Sequence, residues 1–315
     1  MKACYGTDAL VPAWGGCTVC IGVFDGVHVG HRQVVRAAVA DARQHDRPAI
    51  VLTFDRHPAR ILRPALAPPM ISTLGQNLRA LSECGADLTL VLPFDRALAD
   101  TTAEEFTRTI VAGLLKAEQV VVGHDFALGK GREGTPAWLA ERVSTTVVEP
   151  FGPEGHRVSS SEIRAAIAAG NVSDAARWLG RNFALVGCVV GGEQVGRTLG
   201  YPTANLAPIA RQVVPADAVY VGECWAPGGV YRAAISVGTR PTMGGATRAI
   251  EAFLVDYSGG SLYGQCLELT FFAKIRDQVR YERREELQAQ IAADVETVIN
   301  YKENPFVEPS EAGQV

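Results

Sequence analysis

Little in this chain is extreme, and each shortage excludes something. Aromatic residues supply only 7% of its 315 positions, and methionine occurs three times. No one sign of charge dominates: 30 Lys+Arg against 34 Asp+Glu leave a formal net charge of -4. With no block of like charges either, a nucleic-acid-binding polycation and a charged tail are excluded. No apolar run approaches the roughly 18 residues that a membrane-spanning helix needs. Met1 to Trp14 lack a basic segment followed by an apolar core, so no secretory signal is expected. The expectation is a cytoplasmic protein without membrane or nucleic-acid partners, its oligomeric state open. Cysteine numbers seven, an odd count that frames no disulfide scaffold. Cys17 and Cys20 do form a C-x-x-C, but no second Cys/His pair has ligand spacing. Both read as reduced thiols packed as small hydrophobes. At this length a single core gives way to two domains.

What is present centres on Gly22-Val23-Phe24-Asp25-Gly26-Val27-His28-Val29-Gly30-His31. The apolar run Thr18–Phe24 predicts a buried strand, Gly26 breaks it, and apolar residues recur at helical spacing from Arg32. The two histidines therefore fall on a strand-to-helix turn, where unpaired backbone N–H groups and the helix dipole favour an anion. Two imidazoles separated by a small residue and a glycine can reach one phosphate. A metal site or ordinary turn histidines is the bland alternative, and the strand–turn–helix context favours phosphate chemistry.

Further along, Pro48–Phe54 predicts a second strand ending in Asp55-Arg56-His57-Pro58, so a βαβ unit and a parallel sheet follow. Asp55 and His57 would share an edge with His28 and His31, although a plain strand-end carboxylate explains Asp55 equally well. A helical patch over Asn77–Cys84, a strand at Leu88–Leu92, and a helix from Ala103 with Thr102/Glu105 as a capping box come next. A strand over Gln119–Gly123 leads into His124-Asp125-Phe126 and a glycine-rich basic loop, Gly129–Gly134. In Ser159-Ser160-Ser161-Glu162-Ile163-Arg164, hydroxyls before a helix and an arginine one turn in form a phosphate clamp. Capping alone explains one serine but not three with Arg164.

A helix over Asn171–Arg181 stops at Gly180, and the texture then changes to short β-rich runs divided by Gly and Pro, the pattern of a small barrel. The candidate strands are Ala184–Val190, Ala218–Trp225, Tyr231–Val237, Ala249–Tyr257 and Leu267–Ile275. A final helix over Arg283–Asn300 carries Leu287, Ile291, Val295 and Val298 as its apolar stripe. Within the barrel, Gly196-Arg197-Thr198-Leu199-Gly200-Tyr201-Pro202-Thr203-Ala204-Asn205 offers close backbone approach and neutral oxygens suited to Mg²⁺ among phosphates. On composition alone a hairpin turn fits this stretch as well. Glu251, alternating with apolar neighbours, is aimed at one face of its strand. A carboxylate placed in this way can accept or orient a proton.

From Thr18 to Tyr301 these motifs resemble the prokaryotic bifunctional riboflavin kinase/FMN adenylyltransferase (FAD synthetase) family. The stretch ending His28-Val29-Gly30-His31 is similar to the HxGH signature of nucleotidyltransferases. Ser160–Arg164 is similar to the SSxIR motif, and Gly200–Asn205 to the riboflavin kinase GxPTAN pattern. Asp55–Pro58 is similar to FDPHP with Arg56 in place of proline, and Gly123–Gly129 to GxDFxFG with Leu128 at its second aromatic position.

The resemblance implies a Rossmann-like α/β nucleotidyltransferase domain over 1–182. It implies a small β-barrel riboflavin kinase domain with a terminal helix over 183–315. Its substrates would be ATP, riboflavin and FMN, its product FAD, and its metal Mg²⁺. It places Gly22, Phe24, Asp25, Gly30, Ser160, Ser161 and Arg164 at the ATP of the first reaction, with His28 and His31 catalytic. At the ATP of the second it places Gly196, Arg197, Gly200 and Pro202. Thr203 and Asn205 would hold the metal, with Glu251 as catalytic base. Asp55, His57, Asp125 and Arg276 are implied flavin contacts. Ala218, Arg240, Met243, Ala252 and Phe253 depart from the family pattern around the kinase's flavin. The alternatives are one surviving activity, a transferase for another mononucleotide, or a flavin-binding regulator without turnover.

Overall fold

A strand buried at every position needs cover on both faces, and Cys17–Ile21 is one. The computed structural model describes residues 1–8, 10, 14–155, 157–192, 195–209, 211–242 and 245–302. Two compact units divide the chain: Met1–Pro68 with Ser72–Ser160, and Pro69–Ile71 with the chain from Ser161 onward.

The first unit is a parallel sheet. Its strands are β1 (Lys2–Tyr5), β2 (Cys17–Ile21), β3 (Ala49–Phe54), β4 (Leu88–Leu92), β5 (Ala117–Gly123) and β6 (Ser144–Val148), in the order β1-β4-β3-β2-β5-β6. The helices α1 (Val29–Gln44), α2 (Ala59–Leu62), α3 (Leu74–Glu83), α4 (Arg96–Asp100), α5 (Ala103–Phe106) and α6 (Pro136–Ala140) connect them. A wider π-helical turn over Thr107–Leu114 continues α5. Alternate residues of each strand serve opposite cores. Val19, Ile21, Ile50, Leu52, Val120 and Val122 pack with Phe106 and Val111. Cys20, Val51 and Val121 pack with Val34, Val35 and Ala38 of α1 and Leu81 of α3. Cys17 and Cys20 therefore face opposite sides. Burial raises both thiols, that of Cys17 to about 12, so the C-x-x-C is no redox pair.

The chain builds β2, β3 and β4 outward, then crosses back to lay β5 on the other side of β2. That reversal is a topological switch point, and it opens a crevice beyond the carboxyl ends of β2 and β5, where ligands bind in such sheets. Strand β2 ends at Ile21, three residues short of the expected Phe24, and α1 begins at Val29 rather than Arg32. The earlier helix start follows from the His28 side chain, which caps it, and the earlier strand end from the turn between. Phe24 and Val27 stand at φ 49° and 40° around Gly26 at 83°, so residues 24–27 form a tight left-handed turn that neither element can include. Short edge strands β1 and β6 were not expected, since neither is fully buried and neither carries a clear period. The glycine-rich loop is tied down: Leu128 and Gly134 exchange backbone bonds of 3.1 and 3.0 Å, and the Glu133 carboxylate caps the Ala103 amide at 2.8 Å.

The second unit contains α7 (Ser160–Ala168) from Ser161 on, α8 (Val172–Leu179), the short α9 (Val195–Thr198) and α10 (Arg284–Asn300). Six strands close an antiparallel barrel: β7 (Phe183–Val190), β8 (Thr203–Pro208), β9 (Ala218–Ala226), β10 (Gly229–Thr242), β11 (Gly245–Leu254) and β12 (Cys266–Asp277), in the order β10-β11-β8-β7-β12-β9. Leu185, Leu206, Tyr220, Ile235, Ala252 and Leu269 fill its interior. Helix α8 ends on Gly180 in the left-handed conformation and its Ser173 hydroxyl bonds the Phe272 carbonyl at 3.2 Å.

Two differences from the sequence reading stand out. Strand β8 is absent from the candidate strands. Its Ala204 and Leu206 alternate inward with period two, but a six-residue strand ending in proline gives little signal. On α10 only Val298 of the expected stripe is buried, whereas Asp294 is 5% exposed. Arg276 explains it: its guanidinium meets both Asp294 oxygens at 2.6–3.2 Å, and Gln290 adds a bond of 3.0 Å.

Candidate active sites

The turn after β2 is held from several directions. Asp25 is 2% exposed, and its carboxylate accepts the Ser72 amide at 3.3 Å. The Gly26 amide donates to Asn77 Oδ1 at 3.1 Å, and the Ser160 hydroxyl donates to the Asp25 carbonyl at 3.1 Å. Left-handed Phe24 and Val27 cost on the order of 1–3 kcal/mol each, and strain of that kind persists where surrounding bonds over-determine it. Asn77 was missed as part of this site. Its signal was the neighbouring Thr73-x-x-Gln76, a complete capping box that starts α3 and so aims Asn77 at the turn.

His28 is the N-cap of α1, and its Nδ1 accepts the His31 amide at 3.3 Å. With Nδ1 an acceptor, the neutral ring carries its proton on Nε2. The His28 and His31 rings stack 3.6 Å apart at 19°, and the Phe24 ring meets His31 edge-on at 5.3 Å. Gly22 and Gly30 are needed for this approach. A Cβ at Gly22 would lie 2.9 Å from the Phe24 ring, and one at Gly30 would lie 3.3 Å from the His28 ring. Two imidazoles thus share the first turn of a helix at the sheet's switch point, the place for an anion.

The other residues expected near this turn are placed as follows. Burial raises the Asp55 carboxyl, but hydrogen bonds from Arg56 and the Phe94 amide, with the Arg56 charge, outweigh it and hold it below the usual range. His57 Nδ1 accepts the Ala59 amide at 3.1 Å, capping α2. Asp125 is exposed and paired with Arg157 at 3.2 Å. Within the second unit, Arg164 Nε donates to the Pro69 carbonyl at 2.8 Å, and Ser161 is exposed on the first turn of α7.

On the barrel, strand parity decides the geometry. Ala204, Leu206, Ile250, Ala252 and Leu254 point inward, so Thr203, Asn205, Glu251 and Phe253 share the outer face of β8 and β11. Glu251 stands opposite Asn205 in register, and the Thr203 hydroxyl donates to its Oε2 at 3.0 Å. Phe253 carries the Tyr201 ring edge-on at 5.3 Å. The preceding turn is closed by the Tyr201 amide on the Gly196 carbonyl at 2.8 Å, and Gly200 takes φ 88°. Two glycines are sterically required: a Cβ at Gly196 would strike the Tyr201 carbonyl, and one at Gly192 the Asn205 amide group. Arg197 and Pro202 are exposed beside this turn. Helix α10 fixes its far side, with Arg284 and Gln288 donating to the Thr198 and Leu199 carbonyls at 2.7 and 3.3 Å. Arg276 is engaged by Asp294, whose hydrogen bonds raise its pKa.

A hydroxyl, an amide and a carboxylate on one face form a hard-oxygen set that fits Mg²⁺ sharing its shell with phosphates and water. Among the described residues no cluster of three His, Cys, Asp or Glu competes for a metal. Of the departures from the family pattern, Ala218 and Ala252 are buried, and Phe253 packs on Tyr201. Met243 and the Arg240 side chain lie outside the described residues.

Comparison with known proteins agrees with this division. Residues 11–162 match the FAD synthetase family model, and residues 179–302 match the riboflavin kinase model. The bifunctional riboflavin kinase/FMN adenylyltransferase of Escherichia coli (strain K12) is 37% identical over 290 residues, covering 89% of this chain and 90% of its own. The protein of that name from Bacillus subtilis (strain 168) is 30% identical, covering 90% and 92%. A crystal structure described as a macrolide-efflux protein from Streptococcus pneumoniae superposes with a TM-score of 0.85 at 31% identity, covering 96% of this chain and 100% of that one. Among the described residues no helix of this chain is long and apolar enough to cross a membrane. The chain belongs to the bifunctional riboflavin kinase/FMN adenylyltransferase family, and it carries both transferase domains of flavin cofactor synthesis.

Proposed function

We propose that the two reactions take place at the two sites described, each with its own ATP. Phosphorylation of riboflavin is assigned to 183–315. There Glu251 accepts the proton of the riboflavin 5′-hydroxyl as that oxygen attacks the γ-phosphorus of ATP and ADP departs. Gly196, Arg197, Gly200 and Pro202 shape the turn over the phosphates, and Thr203 and Asn205 supply oxygens for Mg²⁺. When bound, the metal neutralises phosphate charge. The observation that carries this assignment is the 3.0 Å contact between Thr203 and Glu251 on one outer face with Asn205.

Adenylylation is assigned to 1–182. A phosphate oxygen of FMN attacks the α-phosphorus of ATP, pyrophosphate leaves, and no covalent enzyme intermediate is required. Catalysis is then positioning and stabilisation of developing charge. His28 and His31 are assigned to the α- and β-phosphate oxygens, with Gly22, Phe24, Asp25 and Gly30 framing them. By the family pattern, Ser160, Ser161 and Arg164 are assigned to the departing pyrophosphate. Asp55, His57, Asp125 and Arg276 remain assigned to the flavins by that pattern alone. A cytoplasmic location without nucleic-acid partners completes the reading.

The test is incubation with riboflavin, ATP and Mg²⁺, with the flavins separated chromatographically. FMN followed by FAD is expected, and chelation with EDTA is expected to stop both. FMN alone removes the adenylylation assignment, and no product returns the regulator reading.

A further inference from the structure

Two cysteines outside both sites stand directly opposite each other on the barrel. Cys188 near the end of β7 pairs in register with Cys266 at the start of β12. Their parity is outward: Leu185 and Val189 on β7 and Leu267 and Leu269 on β12 are the buried neighbours. Cys188 is half-buried and Cys266 exposed, unlike the buried Cys17, Cys20, Cys84 and Cys224.

The local hydrogen bonds fix the kind of pair. The Val189 amide donates to the Gln265 carbonyl at 2.8 Å, and the Gly264 amide returns a bond to the Val189 carbonyl at 2.9 Å. Val189 thus spends both its backbone groups on a bulge formed by Gly264 and Gln265, and the next pair along, Cys188 and Cys266, is a non-hydrogen-bonded one. In that arrangement Cα atoms stand about 4.5 Å apart with side chains at their closest. A disulfide spans Cα separations of about 4.4–6.8 Å. The register thus sets the two side chains beside each other, and the neighbouring Cys266 thiol is the main cause that raises the Cys188 pKa.

We propose that Cys188 and Cys266 are a reversible dithiol/disulfide site, closed by exchange with low-molecular-weight disulfides. Attack falls to the Cys266 sulfur, the more exposed of the two, once its proton has passed to water. It forms a mixed disulfide with RSSR and expels one RS⁻. Cys188 then loses its proton to water and attacks the Cys266 sulfur, and the second RS⁻ leaves. Two thiols and RSSR thereby become one protein disulfide and two RSH, two electrons passing to RSSR. The bond staples the end of β7, where Val190 pairs with Asn205 of β8.

Oxidised glutathione is the probe, applied to the full chain, followed by non-reducing peptide mapping and thiol counting. The expected result is a cross-linked Cys188–Cys266 peptide, loss of two thiols per chain, and full reversal by a reducing agent. The variant Cys188→Ala is expected to stop at a Cys266–glutathione mixed disulfide, and Cys266→Ala to stay unmodified at Cys188 over the same time. Two thiols surviving in the wild type, a stable mixed disulfide on Cys266, or a disulfide joining two chains would each overturn the proposal.

Discussion

Replacing Glu251 by glutamine keeps the shape and the Thr203 contact but removes the proton acceptor. FMN formation is expected to fall by about 10²–10⁴-fold, the range for a positioned general base. FAD formation from supplied FMN is expected to be unchanged. His31→Ala is the mirror case, with FMN formed and FAD lost. Rate assays on the two half-reactions check both. Single residues also set the acid limit of the fold. For Asp41, burial raises the carboxyl, but hydrogen bonds from Thr18 and Arg47 outweigh it, and the folded pKa is lowered. Asp87 is lowered chiefly by its hydrogen bond from Arg43. A carboxyl whose pKa is lower folded than unfolded stabilises the fold above its unfolded value, near pH 4, and loses that contribution as pH falls through the folded value. Urea midpoints are therefore expected to be flat above about pH 5 and to drop below pH 4, less steeply in Asp41→Asn.

At the scale of elements, the turn after β2 and the turn before β8 are each braced by a helix. Asn77→Ala leaves the buried Gly26 amide without its side-chain acceptor, a loss of about 1–3 kcal/mol. With two left-handed residues beside it, adenylylation is expected to fall while phosphorylation stays. Gly196→Ala forces the turn away from the Tyr201 carbonyl. Displacement of a site by about 1 Å is worth about 10²-fold in rate, and here only FMN formation is expected to suffer. Asp294→Ala removes the carboxylate that holds the partly exposed Arg276 guanidinium, leaving it only the Asp277 carbonyl. Thermal unfolding is expected to register it as a lower Tm. These elements also show where the sequence was legible. Strand, turn and helix around His28 were readable because buried strands and helical periods are strong signals. The left-handed turn and strand β8 were not, because each depends on contacts with distant residues such as Asn77, Ser72 and Glu251, and the cap at His28 was not because histidine is an uncommon N-cap. The Asp294 seam ran against the pattern: an acidic residue at an apolar position is readable only once Arg276 is known to face it.

For the whole molecule, the family was legible from motif order, since HxGH, SSxIR, GxPTAN and the base follow one another in the family's order. Packing divides the chain differently from those motifs. The second compact unit takes Pro69–Ile71 and the chain from Ser161, and so includes α8, which the texture of the sequence assigns to the front domain ending at 182. That difference follows from physics: β texture marks where strands start, whereas helices join whichever surface covers their apolar stripe. If the two sites act independently, each on its own ATP, FMN made by one protein molecule can be adenylylated by another. The most direct measurement mixes Glu251→Gln and His31→Ala proteins with riboflavin, ATP and Mg²⁺ and follows flavins by chromatography. FAD is expected from the mixture, and neither variant alone is expected to make it from riboflavin at more than a trace. Loss of both half-reactions in either variant, or a mixture that accumulates FMN and never FAD, would contradict the account.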